Sequence, residues 1–195
     1  MSIVALDGCP YLCTGIRKSH NAKCYKTKTR DMDKIAVVYG STTGTCESLA
    51  SRVAEKLGTD EVFCVTDMDE GVVRDHDVLV LGSSTWGDGE LQDDWYDGVE
   101  VLRRCDLKGK RVALFGCGDS ACYPDTFCNA MGLILQACEG ATLIGAGMST
   151  EGYAPCESEA IVDGHWVGCA LDEVNESDLT EARLDDWIGR VKSEM

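Results

Sequence analysis

No stretch of 18 or more consecutive apolar residues occurs among the 195, so nothing here is long enough to cross a bilayer as a helix. Basic side chains are scarce, 18 against 34 acidic ones, for a formal charge of −16. That sign is repelled by nucleic-acid backbones and by anionic lipid surfaces, so neither nucleic acid nor membrane insertion is expected as a function. Basic protein partners suit it better. Neither Gly-x-Ser-x-Gly nor Gly-x-Gly-x-x-Gly is present, which leaves hydrolase and dinucleotide-fold readings without their fingerprints. Twelve cysteines contain no Cys-x-x-Cys pair, against ferredoxin-type clusters and dithiol redox work. They are also too sparse for a disulfide scaffold, so reduced thiols and a cytoplasmic location are expected. Cys9, Cys13, His20 and Cys24 lack the tight spacing of a zinc knuckle, and no metal site is expected.

Charge is unevenly placed. Residues 1–33 hold six basic and three acidic side chains, a net +3, so residues 34–195 carry −19. The first 33 residues show neither helix nor strand periodicity and read as a basic, disordered arm. Residues 8–30 contain no acid, which leaves import into an organelle open, and Met32 stands where patterned sequence begins.

From Lys34 onward, short β-branched apolar runs alternate with helical segments. The expected strands are Ile35–Tyr39, Val62–Val65, Val78–Gly82, Val112–Gly116 and Leu143–Met148. Helical spacing marks Cys46–Leu57, Thr126–Cys138 and a last helix through Leu184, Trp187, Ile188 and Val191, with Asp178 and Glu181 placed as a capping box. Near-continuous apolar strands between amphipathic helices mean an α/β fold with a parallel sheet covered on both faces.

In such a fold the ligand sits beyond the carboxyl ends of the strands. Three loops there are unusual. Ser41, Thr42, Thr43, Gly44, Thr45 and Cys46 offer hydroxyls and free backbone N–H groups at a helix start, a place for phosphate. The loop has no Lys, which a nucleoside triphosphate cradle needs, so a terminal monophosphate fits better. Ser84, Thr85, Trp86, Gly87, Asp88 and Gly89 set an aromatic plane among small residues. Cys117, Gly118 and Asp119, followed by Tyr123, supply a second aromatic. Two aromatics and a phosphate cradle on one sheet edge describe a site for a ring system carrying a phosphate.

These loops, with Val38–Tyr39–Gly40 before the first, resemble those of flavodoxins, and the resemblance covers residues 34–195. The run Gly164–Glu173, then Asn175 and Ser177–Thr180, resembles the long-chain branch, in which extra residues interrupt the fifth strand. The resemblance implies a three-layer sandwich with a five-stranded parallel sheet. Leu143–Ser149 and Trp166–Leu171 would be the halves of its fifth strand, and residues 150–165 the insertion. It implies noncovalent FMN used by a monomeric one-electron carrier, with Ser41–Cys46 on the phosphate, Trp86 and Tyr123 around the isoalloxazine, and the backbone of Gly87–Gly89 and Gly118–Asp119 at its polar edge. Cys46 stands where the family usually has a hydroxyl residue, and Thr126 where many long-chain members have Asn.

A chain of charge −19 disfavours adding negative charge to a bound flavin, which pushes its last reduction to low potential. Asp88, Glu90, Asp93, Asp94, Asp97 and Glu100 concentrate acid after the Trp loop, a patch suited to basic redox partners or simply a solvated face. Two rivals share the fold class. An FMN-dependent quinone or nitro-compound reductase would want a proton donor, yet no His lies in the three loops. A signalling receiver module would have no flavin.

Overall fold

The computed structural model describes residues 33–153 and 157–195. The expected arm, apart from Asp33, lies outside the described residues together with Cys9, Cys13, His20, Cys24 and Met32.

Strand β1 (Ile35–Gly40) leads into helix α1 (Thr45–Leu57), β2 (Val62–Cys64), α2 (Glu70–Asp75), β3 (Val78–Trp86), β4 (Glu90–Leu91) and α3 (Trp95–Arg104). Then come β5 (Arg111–Cys117), α4 (Asn129–Gln136), β6 (Thr142–Leu143), β7 (Met148–Ser149), β8 (Ile161–Val162), β9 (His165–Trp166), β10 (Cys169–Leu171) and α5 (Thr180–Glu194). The main sheet runs β10-β5-β3-β1-β2, all parallel, with β4 antiparallel to the end of β3. Its centre is dry. Val37, Val38, Val78 to Leu81 and Val112 to Phe115 have no exposed surface, the burial expected of strands covered on both sides.

The register sets the layers. Gly40, Ser83 and Gly116 are neighbours across β1, β3 and β5, and so share a face. A Cβ at Gly40 would meet Trp95, and one at Gly116 would meet Met131, which places α3 and α4 on that face. Phe115 points the other way and packs on Trp187 of α5, with ring centroids 6.1 Å apart. Helix α1 lies beside α5, joined by Arg52 to Glu173 and Glu181 and by Lys56 to Glu181 and Asp185. Half-exposed pairs of this kind contribute about 0–1 kcal/mol each, so they set the orientation of the two helices more than their stability.

Several boundaries differ from the expected ones, each for a local reason. The halves of the edge strand are shorter than Leu143–Ser149 and Trp166–Leu171. Only Thr142–Leu143 pairs with the start of β5, and only Cys169–Leu171 with its end. Gly145 and Gly147, at φ 70° and 80°, turn the chain away after Ile144. Met148–Ser149 then pairs antiparallel with His165–Trp166 in a separate three-stranded sheet, order β7-β9-β8. The helix expected over Thr126–Cys138 begins at Asn129, because Cys128 takes a left-handed conformation (φ 58°) after a 3-10 turn at Pro124–Thr126. No Asp178–Glu181 capping box forms. Leu179 occupies the N-cap of α5 with no side-chain cap, and Glu181 is drawn instead to Arg52 and Lys56.

Candidate functional site

Strands β1 and β5 end opposite Ser83 and Ser84 of β3, which runs on to Trp86, so the loops that leave the three strands converge on one edge of the sheet. The first loop bends through Ser41, whose Oγ accepts from the Gly44 amide at 3.1 Å. Gly44, in the left-handed region at φ 87°, is the N-cap of α1 and has no side chain to close the helix. Ser48 N donates to Gly44 O, but the N–H groups of the first turn find no side-chain acceptor at the cap. Uncapped donors at the positive end of a 13-residue helix, beside the exposed hydroxyls of Thr42 and Thr43, form a ready anion site.

The second loop carries Trp86, 41% exposed, its indole Nε1 donating to Ser84 Oγ at 2.9 Å. That bond leaves the ring faces free while fixing the ring's orientation. The chain then turns back sharply, with Gly89 N donating to Trp86 O at 3.0 Å and Glu90 pairing with Trp86. In the third loop Tyr123 is 51% exposed, and its amide donates to Asp119 O at 3.0 Å.

Two cavities meet at Trp86. One, about 210 Å³, is lined by Trp86 and Tyr123 with Gly87, Thr126, Phe127 and Cys128 among others. The other, about 290 Å³, is lined by Thr43 and Thr45 of the first loop, Ser84, Cys117, Glu173 and Val174. Both share Thr85, Trp86, Gly118 and Asp119, so they form one trough running from an aromatic slot to the start of α1. Larger hollows of about 530 and 430 Å³ lie along α5 and at the amino ends of β1 and β3. Neither touches the strand-end loops, the place where ligands bind in this architecture.

Ten of the sequence-predicted residues therefore wall the trough: Thr43, Thr45, Ser84, Thr85, Trp86, Gly87, Cys117, Gly118, Asp119 and Tyr123. Ser41, Thr42, Gly44, Cys46, Asp88 and Gly89 sit in the same loops without lining it. One of the predicted roles changes. The Cys46 side chain is fully buried, turned inward within hydrogen-bonding reach of Cys117, and that contact and its burial push its thiol well above the ordinary value. It cannot serve as a side-chain donor to an anion. Thr85 Oγ1 accepts from Ala130 N at 3.2 Å, so this hydroxyl satisfies a free N–H in the first turn of α4.

The residues that sequence reasoning missed are mostly braces. Asp172 is fully buried just past β10. Its Oδ2 accepts from Ser120 N (2.9 Å), Ser120 Oγ (2.6 Å) and Asn175 Nδ2 (2.9 Å), and its Oδ1 from Val174 N (3.0 Å) and Asn175 N (2.9 Å). Burial pushes its pKa up, but the donors from Ser120 and Asn175 outweigh this and hold it below the ordinary 3.8. Asp119 Oδ1 accepts from Cys122 N, Asn175 Nδ2 and Ala121 N, which also pulls that carboxyl down. Asn175 thus ties the third loop to the loop after β10. An Asp just beyond a strand with an Asn three residues on is a turn signal that could have identified this brace. Among the described residues no group of three or more His, Cys, Asp and Glu is arranged to hold a metal.

The sequence matches the flavodoxin family model over residues 37–187. It is 40% identical to a flavodoxin of Trichodesmium erythraeum over 169 residues, which is 84% of this chain and 98% of that protein. It is 38% identical to a flavodoxin of Synechocystis sp. over 165 residues, 83% and 97% of the two chains. The crystal structure of Fusobacterium nucleatum flavodoxin bound to flavin mononucleotide superposes with a TM-score of 0.78 at 28% identity, over 84% of this chain and 99% of that one.

Proposed function

The chain belongs to the flavodoxin family, and on that premise we propose that the trough holds FMN, with the phosphate at the start of α1 and the ring between Trp86 and Tyr123. The observation that carries this reading is the shared trough: two half-exposed aromatics open onto the same hollow as the hydroxyls beside an uncapped helix N-terminus. The residues present fit the group. Neutral hydroxyls and amides suit a terminal monophosphate, and flat aromatic faces suit a tricyclic ring.

Bound FMN supplies the capacity to take up and release electrons one at a time, and the protein works as an electron carrier. Its own residues hold and insulate. Ser84 keeps the Trp86 ring in one orientation. Asp119, engaged by three donors, stays ionised and supplies no proton. Neither described histidine lines the trough: His76 Nδ1 is bonded to Val72 O and His165 Nδ1 to Asp163 O. A reductase reading wants a proton donor in contact with a substrate, and these placements favour the carrier. The purified protein should be yellow, and stepwise chemical reduction should proceed in two resolved one-electron stages. A colourless protein that does not take up added FMN would refute the assignment.

Trp86→Ala should weaken FMN binding by about 1–3 kcal/mol, the scale of losing one aromatic face against a planar ring. Flavin fluorescence titration measures it, and an unchanged affinity would remove Trp86 from the ring contact.

The carrier's partners are redox proteins. Their docking faces should be basic, since Asp88, Glu90, Asp93, Asp97 and Glu100 are exposed around the Trp loop and α3. Among the described residues, only Glu100 of this set has a basic partner, Arg103. Electron transfer should then slow severalfold as ionic strength rises from about 0.01 to 0.1 M, over which the screening length falls from about 30 to 10 Å. Stopped-flow rates that stay flat across this range would point to an apolar docking face.

A further inference from the structure

Gln92 follows β4 and is 2% exposed, yet it carries an amide. Its Nε2 donates to Asp94 Oδ2 at 2.9 Å and to Thr42 Oγ1 at 3.4 Å, while its Oε1 is buried without a partner among the described residues. The reversed amide would set Oε1 against the Asp94 carboxylate, so this orientation is the one that electrostatics selects. The unpartnered Oε1 lies over the backbone of Gly40, where a Cβ would come within 2.5 Å of it. An apolar side chain of the same shape would leave no acceptor unsatisfied. What distinguishes glutamine at this position is its donor end.

That end reaches the first loop. The exposed hydroxyl of Thr42 has one proton and two lone pairs. Accepting from Gln92 occupies a lone pair on the buried side and turns the proton away from the protein, toward the open side of the Ser41–Cys46 turn. The support behind Gln92 is firm. Its carbonyl accepts from Trp95 N at 2.9 Å, and the fully buried Trp95 indole donates to Gly82 O at 2.9 Å.

We propose that Gln92 is a positioning residue: it orients the Thr42 hydroxyl proton toward the phosphate and thereby sets the preference for phosphorylated over unphosphorylated flavin. The proposal rests on the reading that this turn holds the FMN phosphate. A residue that only supported the fold would affect both flavins alike, whereas one acting through Thr42 affects only the flavin that carries a phosphate.

The test is a fluorescence titration of the apoprotein with FMN and, separately, with riboflavin. Gln92→Met should weaken FMN about tenfold, the scale of one charge-assisted hydrogen bond, and leave riboflavin unchanged. Thr42→Val should do the same, and the double variant should be no weaker than Thr42→Val alone. Equal weakening of both flavins, an unchanged FMN affinity, or simple additivity in the double variant would overturn the proposal. Should Gln92→Met fail to fold, Asp94→Asn loosens the amide from outside the core. A selective loss of FMN there supports the role, and an equal or absent effect overturns it. Wild-type protein that binds neither flavin would refute the phosphate reading itself. Wild-type protein that prefers FMN, with the same preference in Gln92→Met, would refute only the role of Gln92.

Discussion

Replacing Asp172 with Ala should lower the unfolding free energy of the apoprotein by about 3–4 kcal/mol and weaken FMN binding as well. The carboxylate satisfies donors from three residues on two loops, and among the described residues only Asn175 Nδ2 has a second acceptor, Asp119 Oδ1. Each donor left without a partner in a half-buried site costs about 1 kcal/mol or more, and hydrogen bonds to a charged acceptor lie at the upper end of that range. The affinity loss follows from position. Ser120 belongs to the loop that presents Tyr123, and Val174 lines the trough, so releasing both frees one wall of the ring slot. Urea melts of the apoprotein and FMN titrations check the two effects separately. A stability loss below about 1 kcal/mol would mean that water substitutes for the carboxylate and that the loops are held by something else.

The same residue gives a pH dependence of known sign. The pKa of Asp172 in the folded protein lies below its ordinary value, so between the two values the unfolded chain binds more protons than the native one. Its contribution is therefore complete above about pH 4 and is lost as pH falls through the lower, folded value. Asp172→Asn should be less stable than the parent at pH 7, and the gap should narrow as the solution is acidified below about pH 4. A gap that stays constant down to pH 2 would show that the charge on Asp172 is not what the donors recognise.

The buried strands were legible because their apolar runs are nearly unbroken, and a run such as Val78–Leu81 has few other places to go. Helix α1 was legible for a similar reason, its apolar face recurring at Leu49, Ala50, Val53, Ala54 and Leu57. Helix α3 was not. Acidic residues before and within it read as a charge run, and its buried side rests on Trp95, Gly98, Val99 and Leu102, where the glycine blurs the period. The ends of elements were set by backbone conformation and by distant partners. Nothing local announces that Cys128 will be left-handed, or that Glu181 will turn to Arg52, 129 residues away in sequence. The site divides along the same line. Loop composition identified the trough walls, because hydroxyls, small residues and aromatics at strand ends have few structural uses together. The direction of individual side chains was invisible: Cys46 turned inward, and Thr85 turned to the first turn of α4, through contacts with residues 71 and 45 positions away.

Gly89→Ala should cost about 3–4 kcal/mol of stability and at least tenfold in FMN affinity, far more than Gly87→Ala two residues earlier in the turn. Both glycines have positive φ, 99° and 49°, so either alanine adopts a left-handed backbone at a cost of about 1–2 kcal/mol. Their surroundings separate them. A Cβ at Gly87 would approach Glu90 Oε2 at 3.0 Å, the far end of an exposed side chain that can swing aside. A Cβ at Gly89 would sit 2.5 Å from Asn129 Nδ2 and 3.0 Å from Thr126 Cβ. Asn129 has little room to retreat, because its Oδ1 accepts from Ser158 Oγ at 2.9 Å and from Glu159 N at 2.8 Å, anchoring the chain that follows β7 to the start of α4. Overpacking a held contact adds about 1–3 kcal/mol. Relief comes only by pushing the Trp86–Gly89 turn away from α4, which moves Trp86 relative to Thr126 and Tyr123 and spoils the slot. Thermal melts and FMN titrations of the two variants side by side decide the matter. If Gly89→Ala matches Gly87→Ala in both, the Trp loop is not braced against Asn129, and the ring slot owes its shape to the ligand.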